Sequence, residues 1–129
     1  MKTAIIINEQ HSLMAEQKAL LPKEYQTVLV PASGWTKTEM EDVMNNLCLP
    51  TWQGGQGINR IIFISPIPYM IKSLSLDAGA NSVQIELNHQ ASPLMVKRVD
   101  VMANDHREKK ELPGGKVVYV VAKTGWYLA

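Results

Sequence analysis

Three polar junctions and one charged arm carry the residues of this chain that could do chemistry. The first junction, Asn8-Glu9-Gln10-His11-Ser12, directly follows the apolar run Thr3 to Ile7. A histidine titrates near neutral pH, so His11 is placed to act as a general acid or base. As a bland alternative, it is a polar residue ahead of a helix cap. Ser12 could hold a phosphate where a helix begins, because free amides and the helix dipole favour anions there. Capping alone explains Ser12 equally well.

Ser33-Gly34 and Ser65-Pro66 occupy the same place after the runs Thr27 to Val30 and Ile61 to Ile64. Three hydroxyl-bearing junctions on one edge of a sheet would suit a phosphate or a nucleotide. Ser and Gly are also the ordinary residues of such loops. The arm is Asp105-His106-Arg107-Glu108-Lys109-Lys110-Glu111. Alternate residues of a strand share a face, so Arg107 and Lys109 would stand together and could clamp one anion. A solvated hairpin arm is the competing reading. Trp35, Trp52 and Trp126 lie beside glycine or in loops, where an indole could stack a base, cover the core or make a dimer contact.

Several chemistries find no pattern. One cysteine, Cys48, leaves no internal disulfide and no cysteine-rich metal site, and makes a reducing cytoplasm the default. His89 and His106 form no metal-spaced pair with His11, so no metal and no cofactor is expected. There is no Gly-x-Ser-x-Gly elbow and no histidine beside Cys48, which argues against Ser or Cys hydrolase chemistry. The loop Thr51 to Asn59 (TWQGGQGIN) lacks the Lys-Ser/Thr ending of a P-loop and precedes a strand instead of opening a helix. It reads as a crossover loop.

The elements that must position these residues follow from the same rhythm. The 129 residues suit one domain, 1–129, with 46% hydrophobic and 19% charged residues. No apolar run reaches a membrane span, and the first one is too short for a signal peptide. That first strand is expected at a sheet edge. A net charge of +1 argues against duplex nucleic-acid binding, although the part from Lys97 onward carries seven bases and four acids.

Strand, polar junction and helix repeat three times, which predicts an α/β fold with a parallel sheet. Ligands in such sheets sit outside the carboxyl ends of the strands. The first helix is expected from Ser12 to Leu21, with Ser12 as its cap. The second opens on the capping box Thr36-Lys37-Thr38-Glu39 and buries Met40, Val43, Met44 and Leu47. The third is expected to begin with Ser65 as cap and Pro66 at the first helical position, to bury Ile67, Ile71, Leu74 and Ala78, and to stop at Gly79. Val83 to Leu87 alternates as a fourth strand at a sheet edge. Val96 to Met102 is a further strand, and Leu112-Pro113-Gly114-Gly115 turns a C-terminal β-hairpin into Lys116 to Ala122.

Laid out this way, the chain resembles the small Rossmann-like ring nucleases and cyclic-oligoadenylate-binding accessory proteins of type III CRISPR systems. The likeness rests on His11-Ser12-Leu13 with Gln17, on Ser65-Pro66 and the helix to Ala80, on Ser82 to Leu87, and on the charged arm with its Pro-Gly-Gly turn. It implies a Rossmann-like parallel sheet with helices on both faces. It also implies a homodimer that binds a cyclic oligoadenylate second messenger across its two-fold axis and cuts it without metal. A ribose 2′-hydroxyl would attack the neighbouring phosphate. His11 would be the acid or base, with Arg107 and Lys109 stabilising the developing charge. Ser12, Ser33, Gly34, Ser65 and Pro66 would hold phosphate. A module that binds the nucleotide without cutting it, and a dimeric scaffold with no small ligand, remain as alternatives.

Overall fold

The computed structural model describes residues 2–75, 94–104, 107–121 and 125–129. The fourth strand expected at 83–87, the helix stop at 79 and His106 lie outside the described residues.

A five-stranded sheet forms the centre. In chain order its strands are β1 (Thr3–Asn8), β2 (Gln26–Val30), β3 (Arg60–Phe63), β4 (Arg98–Asn104) and, last in the chain, β7 (Trp126–Leu128). Across the sheet the order is β2-β1-β3-β4-β7. The first four are parallel, and β7 closes the sheet antiparallel to β4. Between them come helices α1 (Ala15–Leu20) and α2 (Lys37–Cys48), a short 3-10 turn at Thr51–Gln53, and helix α3 over residues 68–75. Strands β5 (Arg107–Glu111) and β6 (Val117–Val121) form a separate antiparallel hairpin. The fold is α/β with a mostly parallel sheet, as the rhythm predicts, and is Rossmann-like with helices on both faces.

The period of two divides the core into two layers. Ala4, Ile6, Ile61 and Phe63 face α2 and α3, where they meet Met44, Leu47, Cys48, Met70 and Leu74. Ile5, Ile7, Ile62, Ile64 and Met102 face the other way, against Leu13, Leu20, Leu21, Tyr25, Trp126 and Leu128. Because Ala4 to Ile7 is apolar at every position, β1 is buried on both faces and sits between β2 and β3. The expectation of an edge strand is thereby corrected. The start of the chain is central because its apolar run does not alternate.

Helix α2 begins as its capping box requires. The Thr36 hydroxyl accepts from the Glu39 N–H at 3.2 Å, and the Glu39 carboxylate accepts from the Thr36 N–H at 3.0 Å. The other two helices begin later than expected. Helix α1 starts at Ala15, with Met14 in the cap position and its N–H bound by the Gln17 carboxamide at 2.9 Å. Leu13 packs into the core of that face, which keeps Ser12 and Leu13 out of the helix. Helix α3 starts at residue 68, and its first turn is closed by the Ile71 N–H donating to the Ile67 carbonyl. Pro68, not Pro66, therefore takes the first helical position, and Ser65 lies outside the helix. Both serines expected as helix caps are left for other work.

The loop 51–59 crosses at the opposite edge from the three junctions. Its amides at Gln56, Gly57 and Ile58 bond to carbonyls at the end of α2, and the Asn59 and Arg60 amides bond to the carbonyl of Lys2. Gly55 sits so close to Leu49 that a Cβ there would run into the Leu49 carbonyl. Gly55 serves close backbone packing, whereas Gly54 and Gly57 supply positive φ, 86° and 65°.

Candidate functional site at the carboxyl edge

The chain moves outward from β1 to β2, then returns to place β3 on the other side of β1. Strand order reverses there, so the carboxyl ends of β1 and β3 flank the crevice in which ligands of open α/β sheets bind. Asn8 ends β1, and Ser65 lies just past the end of β3.

Asn8 builds a sharp turn. Its carbonyl accepts from the His11 N–H at 2.9 Å, and its side-chain Oδ1 accepts from the Gln10 N–H at 2.9 Å. Such an Asx turn is a local device that needs no glycine. The turn is tied to the next one along the edge, because the Glu9 carboxylate accepts from the Ala32 N–H at 2.9 Å. His11 is thereby carried back over the end of β3, where its Nδ1 lies 3.2 Å from the Ser65 Oγ. The same Oγ accepts from the Asn8 N–H at 2.9 Å. Pro66 restricts Ser65 to extended backbone, which holds this hydroxyl at the edge.

The contacts define what the pair can do. The Ser65 hydroxyl has one proton and two lone pairs, and the Asn8 amide takes one lone pair. Either the hydroxyl donates to Nδ1, or an Nδ1–H donates to the second lone pair. In the second arrangement the His11 Nε2 is a free base. It makes no hydrogen bond among the described residues and the ring is exposed. Ser65 then orients the imidazole much as a second group orients the base in many acid–base sites.

His11 and Ser65 open into a cavity of about 690 Å³, lined also by Asn8, Gln10, Ser12, Met14, Gln17, Ile64, Pro66 and Trp126. This size is ordinary for a small-ligand site. The Trp126 Nε1 is buried at its wall and its N–H has no acceptor among the described residues. On the other side of Asn8, Ser65 and Pro66 lies a second cleft of about 330 Å³, bounded by Gly34, Trp35, Met40 and Tyr69. Ser65 thus stands between two adjoining compartments. Among the described residues, no lysine, arginine, aspartate or glutamate lines either one.

The residues singled out in the sequence divide accordingly. His11, Ser12, Ser65 and Pro66 meet in the larger cavity, and Gly34 reaches the smaller one with φ of 79°. Ser33 is exposed and lines neither. Arg107 and Lys109 are on the hairpin, whose strand β5 pairs among the described residues with β6 alone. The hairpin nonetheless leaves the sheet at Asn104, the carboxyl end of β4, and returns at Trp126, which pairs with Asn104. Its root is therefore at the cavity wall. Asn8 and Gln10 were missed, since a turn-forming asparagine looks like any loop residue until its bonds are seen. Trp126 stood among three tryptophans that sequence alone ranks equally. Trp35 packs against the core and Trp52 is 78% exposed.

Among the described residues, no group of three or more His, Cys, Asp or Glu is arranged to hold a metal ion, and no helix is long and apolar enough to cross a membrane. Compared with known proteins, the chain matches no family model, no curated protein and no solved structure at a significant level.

Proposed function

We propose that this protein binds a nucleotide phosphodiester at the carboxyl edge of its sheet and cleaves it without metal, with a cyclic oligoadenylate as substrate. The observation that carries the reading is the His11–Ser65 pair at 3.2 Å, placed at the strand-order reversal and opening into the larger cavity. In this reading the scissile phosphate lies by Ser65 with a nucleotide in each compartment. The Ser12 hydroxyl and the Trp126 N–H donate to it or to its neighbours.

The step needs no outside reagent. The His11 Nε2 takes the proton of a ribose 2′-hydroxyl while that oxygen forms its bond to the adjacent phosphorus. The bond from phosphorus to the 5′-oxygen breaks, and that oxygen takes a proton from water as it leaves, while the His11 imidazolium returns its proton to the solvent. The products are a 2′,3′-cyclic phosphate and a 5′-hydroxyl. Positioning and proton transfer are the contributions this edge can supply. Arg107 and Lys109 enter from the hairpin, which is rooted beside Trp126, and stabilise charge on the phosphate.

The test is incubation with cyclic oligoadenylates of different ring size in the presence of a chelator, followed by chromatography. Cyclic-phosphate products that disappear in His11→Ala support the enzyme. Tight binding with intact ligand removes the enzyme and leaves the binding module. Failure to bind any of them removes both.

A further inference from the structure

We infer that β5 is a self-complementary edge through which two copies of this chain join, antiparallel, about a two-fold axis passing at Lys109. The inference rests on the hairpin alone and does not depend on the nuclease reading. Strand β5 pairs with β6 along one side, and among the described residues no strand covers its other side. A two-stranded ribbon is marginal by itself, and an open strand edge is a template for another chain.

The sequence of β5 is Arg-Glu-Lys-Lys-Glu. Laid antiparallel against a copy of itself with Lys109 at the centre, Arg107 stands opposite the partner's Glu111, and Glu108 opposite the partner's Lys110. The two-fold repeats both pairs. Opposite charges therefore meet at every position except the central lysine. Centring on Glu108 sets Arg107 against the partner's Lys109, and centring on Lys110 sets Glu108 against an apolar leucine. A parallel arrangement sets each charge against its like. Directly opposed like charges across strands are unfavourable and opposite ones favourable.

Backbone parity is met at this centre. The Leu112 N–H donates to the Lys116 carbonyl at 2.7 Å across the hairpin. Alternate residues turn their amides to opposite edges, so positions 112, 110 and 108 face β6 while 111, 109 and 107 face outward. Lys109 and its two flanking outward positions are thus the ones whose N–H and C=O, among the described residues, face no other strand and can bond to a partner. Parity excludes an axis that passes between two residues, and among the centres it allows the charge pattern selects Lys109. The product is a four-stranded antiparallel sheet in the order β6-β5, then the partner's β5 and β6.

The test uses the full chain and reads its mass by sedimentation across a wide concentration range, with circular dichroism as the check on folding. A dimer that weakens as salt is raised is expected. Arg107→Glu sets like charges together twice about the axis and is expected to weaken the dimer by about tenfold or more. Adding Glu111→Arg to that variant restores the complement and the dimer. Lys109→Gln removes the one like-charge pair and tightens the dimer, an effect opposite to any loss of ligand contact. Lys109→Cys is expected to cross-link to its own copy under oxidation, whereas Tyr119→Cys, at the centre of β6, is not. A wild-type monomer at all concentrations, a dimer that the Arg107→Glu and Glu111→Arg pair fails to rescue, or cross-linking through Tyr119→Cys instead of Lys109→Cys overturns the proposal. An active monomer would overturn this interface and leave the nuclease reading intact.

Discussion

The two edges of the sheet use polar residues in opposite ways. At the amino edge, charges are closed on one another. Asp100 on β4 is 6% exposed and holds the Arg60 Nε at 3.0 Å and the Arg98 Nε at 2.9 Å. The loop 51–59 beside it is tied down by backbone hydrogen bonds. At the carboxyl edge the groups are neutral or titratable, and several keep unused capacity. The His11 Nε2, the Ser12 hydroxyl and the Trp126 N–H are all without partners among the described residues. The ion pairs found among the described residues therefore lie where chemistry is least expected. A paired charge holds structure together, whereas an oriented but incompletely bonded group is able to meet a ligand.

The difference can be broken most forcefully at Asp100. Its removal in Asp100→Ala leaves the Arg60 guanidinium, whose side chain is 14% exposed, without its carboxylate. A loss of about 3 kcal/mol in denaturant unfolding is expected, because breaking one side of a buried ion pair strands the other. A negligible loss would show that the amino edge is not a structural clamp. Next in size is Gly55→Ala, expected to cost roughly 2 kcal/mol, since the loop must shift to clear the Leu49 carbonyl.

The capping box of α2 gives a smaller and pH-dependent effect. Thr36→Ala is expected to cost about 1 kcal/mol. The Thr36 N–H, bonded to the Glu39 carboxylate, holds that carboxyl below its ordinary pKa, with the Thr36 hydroxyl adding to it. A carboxyl depressed in the folded state stabilises the fold above its unfolded pKa. That contribution fades as pH falls through the lower folded value. Glu39→Gln, which keeps an acceptor for the Thr36 N–H but cannot titrate, should therefore flatten the acid limb of a stability profile, and unchanged pH dependence would contradict the capping assignment. Smallest of all is His11→Ala, expected to change stability by less than about 0.5 kcal/mol because the ring is exposed. The same substitution is expected to abolish phosphodiester cleavage. A large loss of stability with activity retained would reverse the contrast between the edges.

What was legible in the sequence was whatever local pattern decides. The apolar runs at 3–7, 27–30 and 61–64 specify strands by composition, and Thr36 with Glu39 specifies a helix start by reciprocal bonding. Placement was harder. That β1 is central depends on its neighbours, which one strand's sequence does not name. Ser12 and Ser65 have the residue type of a cap. Leu13 is drawn into the core, and Pro68 suits the first turn better than Pro66, and these packing choices move the helix starts downstream. His11 was recognisable as a candidate by its position after a strand. Its partner was not, because His11 and Ser65 are 54 residues apart and meet only through the register of β1 with β3.

The pairing of Asn104 with Trp126 makes the hairpin a detachable insertion. Opposed residues of an antiparallel pair stand only about 5 Å apart, close enough for a two-residue turn to join them. Replacing residues 105–125 with Asn-Gly would convert β4 and β7 into an ordinary hairpin and leave the hydrogen-bonded sheet unaltered. The body of the protein and its arm could thus have been acquired, exchanged or lost separately. A grafted arm could likewise carry its self-pairing edge to another α/β sheet that ends in an antiparallel strand.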